Sequence, residues 1–138
     1  MEEIILEPIG FINSPFKRLE DIPRQSIYAN EKTAWIKIKD EYREGLKDIE
    51  RFSHIIVLFY FNQSDHYDLL TTTHFSSKKR GIFGTRSPHR PNHIGLSIVE
   101  LIGVNRNNLE IKGVDMLDNT PVLDIKPYSP GLNPCTRE

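Results

Sequence analysis

The chain has 138 residues, of which 38% are hydrophobic and 27% are charged, and its formal net charge is −1. These values are those of an ordinary globular chain, so we expect one domain over residues 1–138 with a substantial core. No apolar run approaches the roughly 20 residues of a membrane helix, and the acidic N-terminus excludes a signal peptide. The single cysteine, Cys135, cannot form an internal disulfide, which favours a reducing, cytoplasmic location.

The first half of the chain predicts three strands and one short helix. Residues 4–12 predict an opening strand, and Pro8 marks it as an edge strand or a bulge. Residues 34–40 alternate strictly between apolar and polar side chains, which predicts a half-buried strand. Residues 40–52 predict a short helix. Residues 54–61 are apolar throughout and too few for a buried helix, so they predict a central strand.

The second half predicts further short strands. Residues 62–79 have no clear period and predict a loop. Three strands are predicted over residues 94–104, 109–116 and 122–125, with turns at residues 105–108 and 117–121. So many short strands would expose many edges unless the sheet closes on itself. We therefore expect a mainly β fold, a single-domain barrel with one or two short helices.

A run of cations lies between the predicted central strand and the strand at residues 94–104. No acidic residue occurs between Asp68 and Glu100. The interval contains five cations and three of the five histidines, namely Lys78, Lys79, Arg80, Arg86, Arg90, His74, His89 and His93. Such a stretch on a nearly neutral chain indicates an anion-binding surface, and the alternative is a solvated loop whose charges serve solubility.

Residues 85–93, here called the basic segment, contain two prolines that limit the backbone. Ser87 and Arg90 each precede a proline, which disfavours helical geometry. We therefore predict that Arg86 and Arg90 project from a stiff, extended support, where guanidinium groups suit phosphate or carboxylate. The side-chain amide of Asn92 can donate and accept. Because a proline interrupts the four-residue spacing of the histidines, we expect no metal site.

A second cluster of charges follows near the C-terminus. Asp115, Asp118 and Asp124 fall within what the pattern predicts to be a turn-linked pair of strands. Turn chemistry explains Asp118. Asp124 lies inside an apolar run, so we expect a charged partner, and an arginine of the basic segment is the obvious candidate. Because no GxGxxG, P-loop, GxSxG or CxxC motif is present, the sequence does not support a Rossmann nucleotide-binding fold.

Four motifs together resemble one family over about residues 9–130. They are TRSPHRPNHIGLS, PRQ, GLKDIERFSHIIVLFYF and DNTPVLDIKPY. These motifs resemble the TsaA-like family, whose characterised members are the TrmO tRNA methyltransferases. The resemblance implies a non-Rossmann β-barrel enzyme that uses S-adenosylmethionine (AdoMet). It also implies methylation of N6 of threonylcarbamoyl-adenosine beside the tRNA anticodon, a tRNA anticodon loop as partner, and a homodimer.

The same resemblance assigns residues to the methyl donor. Positions that match the family's motifs, and so imply AdoMet contacts, are Pro23, Arg24, Gln25, Arg86, Leu96, Asp118, Asn119, Thr120 and Pro121. Asn62 and Gln63 follow the apolar strand where similar sequences often have His-Gln, so we include them without a histidine-specific role. The chain also lacks the C-terminal extension of bacterial relatives and resembles the compact archaeal form.

Catalytic roles are less determined by the sequence. We expect Arg90 and Asn92 to position the modified base, and Asp124, Asp115 or His89 to accept the amine proton. Two other interpretations stay open at this point. The chain could bind RNA or a nucleotide without catalysis, or it could be an AdoMet-dependent methyltransferase with a small-molecule substrate.

Overall fold

The computed structural model describes residues 2–22, 32–73 and 76–135, and within them eight β-strands. In chain order the strands are β1 (Gly10–Asn13), β2 (Thr33–Ile38), β3 (His54–Tyr60), β4 (Leu70–Thr73), β5 (Ser76–Gly81), β6 (Ile94–Asn105), β7 (Asn108–Lys112) and β8 (Pro121–Tyr128). Four short 3-10 helices are Leu19–Asp21, Asp40–Leu46, Ile49–Arg51 and Ile82–Gly84.

Six of the strands form a closed barrel in the order β1-β2-β7-β6-β3-β8, and every pair in it is antiparallel. The remaining two, β4 and β5, form a separate two-stranded sheet. Closure pairs both edges of each barrel strand, which removes the exposed edges that short strands would otherwise present. The prediction of a mainly β barrel is confirmed.

Alternation along the strands fills the barrel interior. In β2 the predicted inward residues Ala34, Ile36 and Ile38 are all buried, while the residues between them face outward. The core also takes β-branched side chains from the other strands, such as Val57 and Ile111, which are fully buried. A side-chain period of two is what makes this division possible. The half-buried strand expected over residues 34–40 is confirmed.

The predicted central strand is β3, which lies between β6 and β8 and is buried on only one face. Inward residues of β3 are buried, but its outward residues are half-buried or exposed. They pair across to β6 as Ile56 with Ile98, Leu58 with Leu96 and Tyr60 with Ile94. These three pairs, here called the β3 wall, form an apolar patch on the outside of the barrel. Of them, Tyr60, Ile94 and Leu96 are 38–40% exposed.

Several predicted boundaries change. The opening strand begins only at Gly10, where a Cβ atom would collide with the backbone carbonyl of Lys37. The helix expected over residues 40–52 is two 3-10 helices, because Asp48 adopts a left-handed backbone with φ of 67° between them. The strand expected over residues 109–116 ends at Lys112, and β8 is longer than predicted.

Two predictions about connectivity are wrong. The predicted loop at residues 62–79 contains the β4–β5 hairpin. The last two barrel strands are not a hairpin, since β7 pairs with β2 and β6, whereas β8 pairs with β1 and β3. The turn at residues 105–108 does join neighbouring strands, with Arg106 left-handed at φ of 59°. None of the helical segments in the described ranges has the length and hydropathy that a membrane crossing requires.

Candidate functional site

Strand register brings the basic segment and the turn at residues 117–121 to one end of the barrel, around the C-terminal end of β3. Tyr60 at the end of β3 pairs with Ile94, which follows the basic segment directly. On the other side, Phe59 pairs with Val122, which follows the turn at residues 117–121. Neighbouring strands lie about 4.8 Å apart, so the first residues of β6 and β8 flank β3 at a separation of about 10 Å. The basic segment and the turn therefore lie at the same end.

Hydrogen bonds within the basic segment fix its shape. The Thr85 hydroxyl donates to the carbonyl of Ile82 at 2.9 Å, and the Ser87 hydroxyl accepts from the His89 N–H at 3.3 Å. Nη1 of Arg90 donates to the carbonyls of Thr85 at 2.9 Å and Ser87 at 3.1 Å. These contacts tie the segment to itself, and the prediction that Arg90 projects from it is wrong, because this guanidinium folds back onto its own loop.

His89 connects the basic segment to the residues after β3. Its Nδ1 lies 2.7 Å from the buried hydroxyl of Ser64, and its ring stacks on His66 with centroids 4.2 Å apart. The Asp68 N–H also donates to the His89 carbonyl at 3.1 Å. The hydrogen bond from His66 and the positive charge of His66 together hold the pKa of the exposed Asp65 carboxyl below its usual value.

Neither Ser64 nor this stacked pair is signalled by the sequence, since the contacts of His89 with Ser64 and His66 join residues 25 and 23 positions apart. His93 turns elsewhere, with Nδ1 placed 3.0 Å from the Pro88 carbonyl. Within the described ranges, no three side chains of His, Cys, Asp or Glu converge as metal ligands.

Asp118 ties the turn to the segment after β1. Its carboxylate accepts from the Ser14 N–H at 2.9 Å and from Nζ of Lys17 at 2.8 Å. Partial burial acts to raise the pKa of Asp118, but the hydrogen bonds from Lys17 and Ser14 outweigh it and hold that pKa below its ordinary value. The Asp118 N–H donates to the Phe16 carbonyl at 2.8 Å. Sequence reasoning found Asp118 but not its partners.

The rest of the turn combines buried and exposed groups. Asn119 is exposed with a left-handed backbone at φ of 68°, and its N–H donates to the Ile12 carbonyl at 2.7 Å. The Thr120 side chain is buried, and its hydroxyl donates to the Leu117 carbonyl at 2.6 Å. Pro121 is half-buried at the start of β8. Within this turn, Asn119 is therefore the residue that presents its side chain freely to solvent.

Two other carboxylates have partners that the sequence did not predict. The expected arginine partner of Asp124 is wrong, because this carboxylate lies 3.0 Å from Nζ of Lys126. Asp124 faces outward and shares one row of the barrel wall with Leu58 and Leu96. Asp115 instead accepts a hydrogen bond of 2.6 Å from Ser97, whose hydroxyl is buried on the inward face of β6.

The remaining predicted residues are exposed at the same end. Asn62, Gln63, Arg86 and Asn92 form no side-chain hydrogen bond or ion pair with the described residues, and all four are exposed. The predicted contacts Pro23, Arg24 and Gln25 lie outside the described residues. The Arg86 guanidinium and the exposed amides of Asn62, Gln63 and Asn119 match the carboxylate, ammonium and adenine of AdoMet in chemical type. The described part of the site fits that donor.

Fold and site together define a class, a closed antiparallel barrel of the non-Rossmann type with a polar, cationic rim at one end. Residues 11–133 match the family described as the tRNA-methyltransferase O N-terminal domain. The chain belongs to this family, which confirms the resemblance drawn from the motifs.

Similar proteins occur in archaea, bacteria and animals. An S-adenosyl-L-methionine-binding protein of Archaeoglobus fulgidus is 45% identical and covers 94% of this chain and 93% of its own length. A mouse tRNA (adenine(37)-N6)-methyltransferase is 39% identical over 91% of this chain but only 31% of its own. A crystal structure of TrmO from Pseudomonas aeruginosa superposes with a TM-score of 0.84 at 36% identity, covering 99% of this chain and 61% of that one. This chain thus spans about three fifths of the bacterial protein.

Proposed function

We propose that this chain transfers a methyl group from AdoMet to N6 of adenosine 37 in tRNA, and that the adenosine carries a threonylcarbamoyl group. Register in the barrel is the observation that carries the proposal. It brings the basic segment and the turn at residues 117–121 to either side of the last residues of β3. The names of the archaeal and mouse relatives supply the donor and the base.

The exposed residues around the end of β3 hold the donor in this proposal. Arg86 is an exposed cation that suits the carboxylate of AdoMet, and the amides of Asn62, Gln63 and Asn119 can both donate and accept. Leu96 on the β3 wall offers an apolar surface to the adenine. Asp118, Thr120 and Pro121 shape the turn, because the side chains of the first two are bonded within the protein. Bound AdoMet supplies an electrophilic methyl group on a sulfonium.

The protein's contribution to the reaction is mainly positioning. N6 must approach the methyl carbon opposite the sulfur, so orientation accounts for much of the rate. Asn92 is exposed beside the turn that enters β6 and can bond the base. Arg90 does not contact the base in this proposal. Its hydrogen bonds to the carbonyls of Thr85 and Ser87 hold the basic segment in shape. We therefore assign Asn92 to the base and Arg90 to positioning of the loop.

The N6 proton must leave as the new carbon–nitrogen bond forms. Asp124 is the acceptor that this proposal favours, because it faces outward in the same row of the barrel wall as Leu96. Nζ of Lys126 lies 3.0 Å from its carboxylate and holds it in place. Asp115 and His89 are the alternatives, although each already bonds a serine hydroxyl, Ser97 and Ser64 respectively.

A second copy of the chain completes the site in this proposal. The β3 wall leaves three cross-strand apolar pairs on the outside of the barrel, next to the polar rim. An apolar patch rimmed by polar residues is typical of an interface. A homodimer formed through this wall would cover Leu96 and Asp124 and exclude water from the methyl transfer. The tRNA substrate places the reaction in the cytoplasm.

Mass spectrometry of tRNA nucleosides tests the activity. Purified protein is incubated with AdoMet and with tRNA that carries or lacks the threonylcarbamoyl group. We expect one added methyl on the modified adenosine 37 only. Methylation of both tRNAs would contradict the requirement for the threonylcarbamoyl group. AdoMet binding by calorimetry without methylation of either tRNA would indicate a small-molecule substrate, and tRNA binding without AdoMet binding would indicate a binding module.

The same assay tests the base contact. Asn92→Ala should lower kcat/KM for tRNA while AdoMet affinity is retained, because this amide is assigned to the base and not to the donor. A kcat/KM within about twofold of the unaltered protein would contradict that role.

A further inference from the structure

A groove on the outer wall of the barrel has no part in the site described above. It lies where β1, β2, β7 and β6 run side by side and has a volume of about 310 Å³. Its lining residues are Asn13, Trp35, Lys37, Asn105 and Asn108. The register brings them together from four strands, with Asn13 opposite Trp35, Lys37 opposite Asn108, and Asn105 opposite Asn108. All five point away from the core.

The polar groups of the groove are available to a ligand. Three asparagine amides line it, and none forms a side-chain hydrogen bond with a residue that the structure describes. Trp35, the only tryptophan of the chain, is half-buried among them. Amides donate and accept at the spacing that base edges require, and an indole face stacks on any base. The lining therefore has the chemistry of a nucleobase site.

Positive charge surrounds the same groove. Lys37 lines it, Lys39 lies at the end of β2 with Nζ 5.9 Å from the Phe11 ring, and Arg106 is exposed in the turn between β6 and β7. None of these three cations forms an ion pair within the described ranges. The nearby acidic residues are Glu110, opposite Trp35, and Asp40, which accepts from Asn107. The three cations outnumber these two acidic residues, so the charge around the groove favours a polyanion such as an RNA backbone.

One end of the groove, at Asn13, adjoins the turn at residues 117–121 through β1. Asn13 lies between Ile12, whose carbonyl accepts from the Asn119 N–H, and Ser14, whose N–H donates to Asp118. An RNA strand that reaches the turn at residues 117–121 therefore passes the end of the groove.

We propose that this groove binds an unpaired nucleotide of the tRNA substrate, with its base stacked on Trp35 and its phosphate beside Lys37. The inference rests on the proposed function for the identity of the RNA. It adds a second contact outside the methyl-transfer site, on a chain that spans about three fifths of its bacterial relative.

Because Trp35 is the only tryptophan, its fluorescence reports on the groove directly in the unaltered protein. An anticodon stem-loop RNA should quench it to saturation, and the apparent affinity should fall steeply with added salt. AdoMet alone should leave the emission unchanged. RNA binding without a change in fluorescence overturns the proposal, as does the absence of RNA binding. A change that follows protein dilution instead of RNA addition assigns the groove to contact between copies.

Matched variants give the second readout. Trp35→Phe keeps an aromatic ring and should retain most of the RNA affinity, whereas Trp35→Leu should weaken it about tenfold. Lys37→Ala should reduce the slope of log affinity against log salt by about one, and Lys47→Ala, an equal loss of charge outside the groove, should not. Unchanged affinity in Trp35→Leu and in Lys37→Ala, with methylation intact, overturns the groove but not the activity. Groove-dependent RNA binding without methylation overturns the activity but not the groove.

Discussion

Two charged side chains of the rim, Asp118 and Arg90, are used mainly to hold backbone. Asp118 accepts from the Ser14 N–H and from Lys17, and Arg90 donates to two carbonyls of its own segment. Neither contact requires a ligand to satisfy it. The cation left for an anionic ligand in the basic segment is Arg86, which is exposed. At the scale of the residue, the rim is therefore preorganised by part of its own charge, which lowers the entropy that binding must overcome.

Asp118→Asn should destabilise the protein in a pH-dependent way. The amide nitrogen of the asparagine would face the Lys17 ammonium, so we expect a loss of about 1–2 kcal/mol in the free energy of unfolding at pH 7. The folded-state pKa of Asp118 lies below its ordinary value of 3.8. Its ionised form therefore stabilises the fold fully above that pH, and the stabilisation disappears as pH falls through the lower folded-state pKa.

Urea unfolding of both proteins between pH 7 and pH 3 measures this difference. The gap between the two free energies should be constant at neutral pH and should begin to narrow below about pH 4. Glu41→Gln, at an exposed position, is the control and should show no such gap. A difference for Asp118→Asn that is the same at every pH would mean that the charge of Asp118 contributes nothing.

At the scale of the element, the sequence predicts which face of a strand is buried, but it does not predict which strands pair with each other. Alternation at residues 34–38 predicts the inward residues of β2, and the continuous apolar run predicts β3, because both signals lie within the strand itself. The β4–β5 hairpin forms a sheet separate from the barrel, and its described side chains are mostly exposed, so no core face imposes a period on them. Barrel closure places β8 between β1 and β3, a choice of partners that no local pattern encodes.

The candidate site likewise contains features that the sequence predicts and contacts that it does not predict. Turn chemistry and proline restriction are local properties of the chain, and they are enough to indicate Asp118 and a stiff basic segment. The inward turn of Arg90 and the contact of Ser64 with His89 depend on how two separate segments meet. Such contacts across long sequence distances have no sequence signal of their own.

Gly95 is a testable point where β6 depends on close packing. A Cβ atom there would lie 2.5 Å from the Phe59 ring and 2.8 Å from the Phe61 ring. The two rings are in edge contact at 5.0 Å between centroids, and Phe59 is buried in the core. Gly95→Ala should therefore cost about 1–3 kcal/mol of unfolding free energy.

Gly103, on the same strand, is the matched control. A Cβ atom at this position would meet nothing within 4 Å, so Gly103→Ala should change stability by less than about 0.5 kcal/mol. Combining Gly95→Ala with Phe59→Leu should recover part of the loss, because the collision is with that ring. Equal effects of the two glycine variants in chemical denaturation would contradict the collision with the Phe59 ring as the cause of the loss.

At the scale of the whole molecule, charge and apolar surface occupy different sides of the barrel. The groove at Trp35 is surrounded by cations, whereas the β3 wall carries three apolar pairs on the outside. A barrel has no need of an apolar outer face for its own stability, since its interior is already filled by inward side chains. The two surfaces therefore suit the two proposed partners, RNA at the groove and a second copy of the chain at the β3 wall.

Two isoleucines of β6, one within the β3 wall and one outside it, test the proposed dimer. Ile94 on the β3 wall is 40% exposed and Ile102 beyond it is 46% exposed, so the two positions tolerate a charge about equally in a monomer. In a dimer formed through the β3 wall, Ile94→Glu buries an unpaired carboxylate, which is strongly unfavourable, whereas Ile102→Glu stays in water. Sedimentation at micromolar concentration should show a dimer for the unaltered chain and for Ile102→Glu, and a monomer for Ile94→Glu.

The rate of methyl transfer is the second readout. If the partner subunit closes the site over Asp124, the monomeric Ile94→Glu variant should transfer methyl groups more slowly than the dimeric Ile102→Glu variant. An unaltered chain that sediments as a monomer, or an Ile94→Glu dimer with full activity, would remove the β3 wall from the interface.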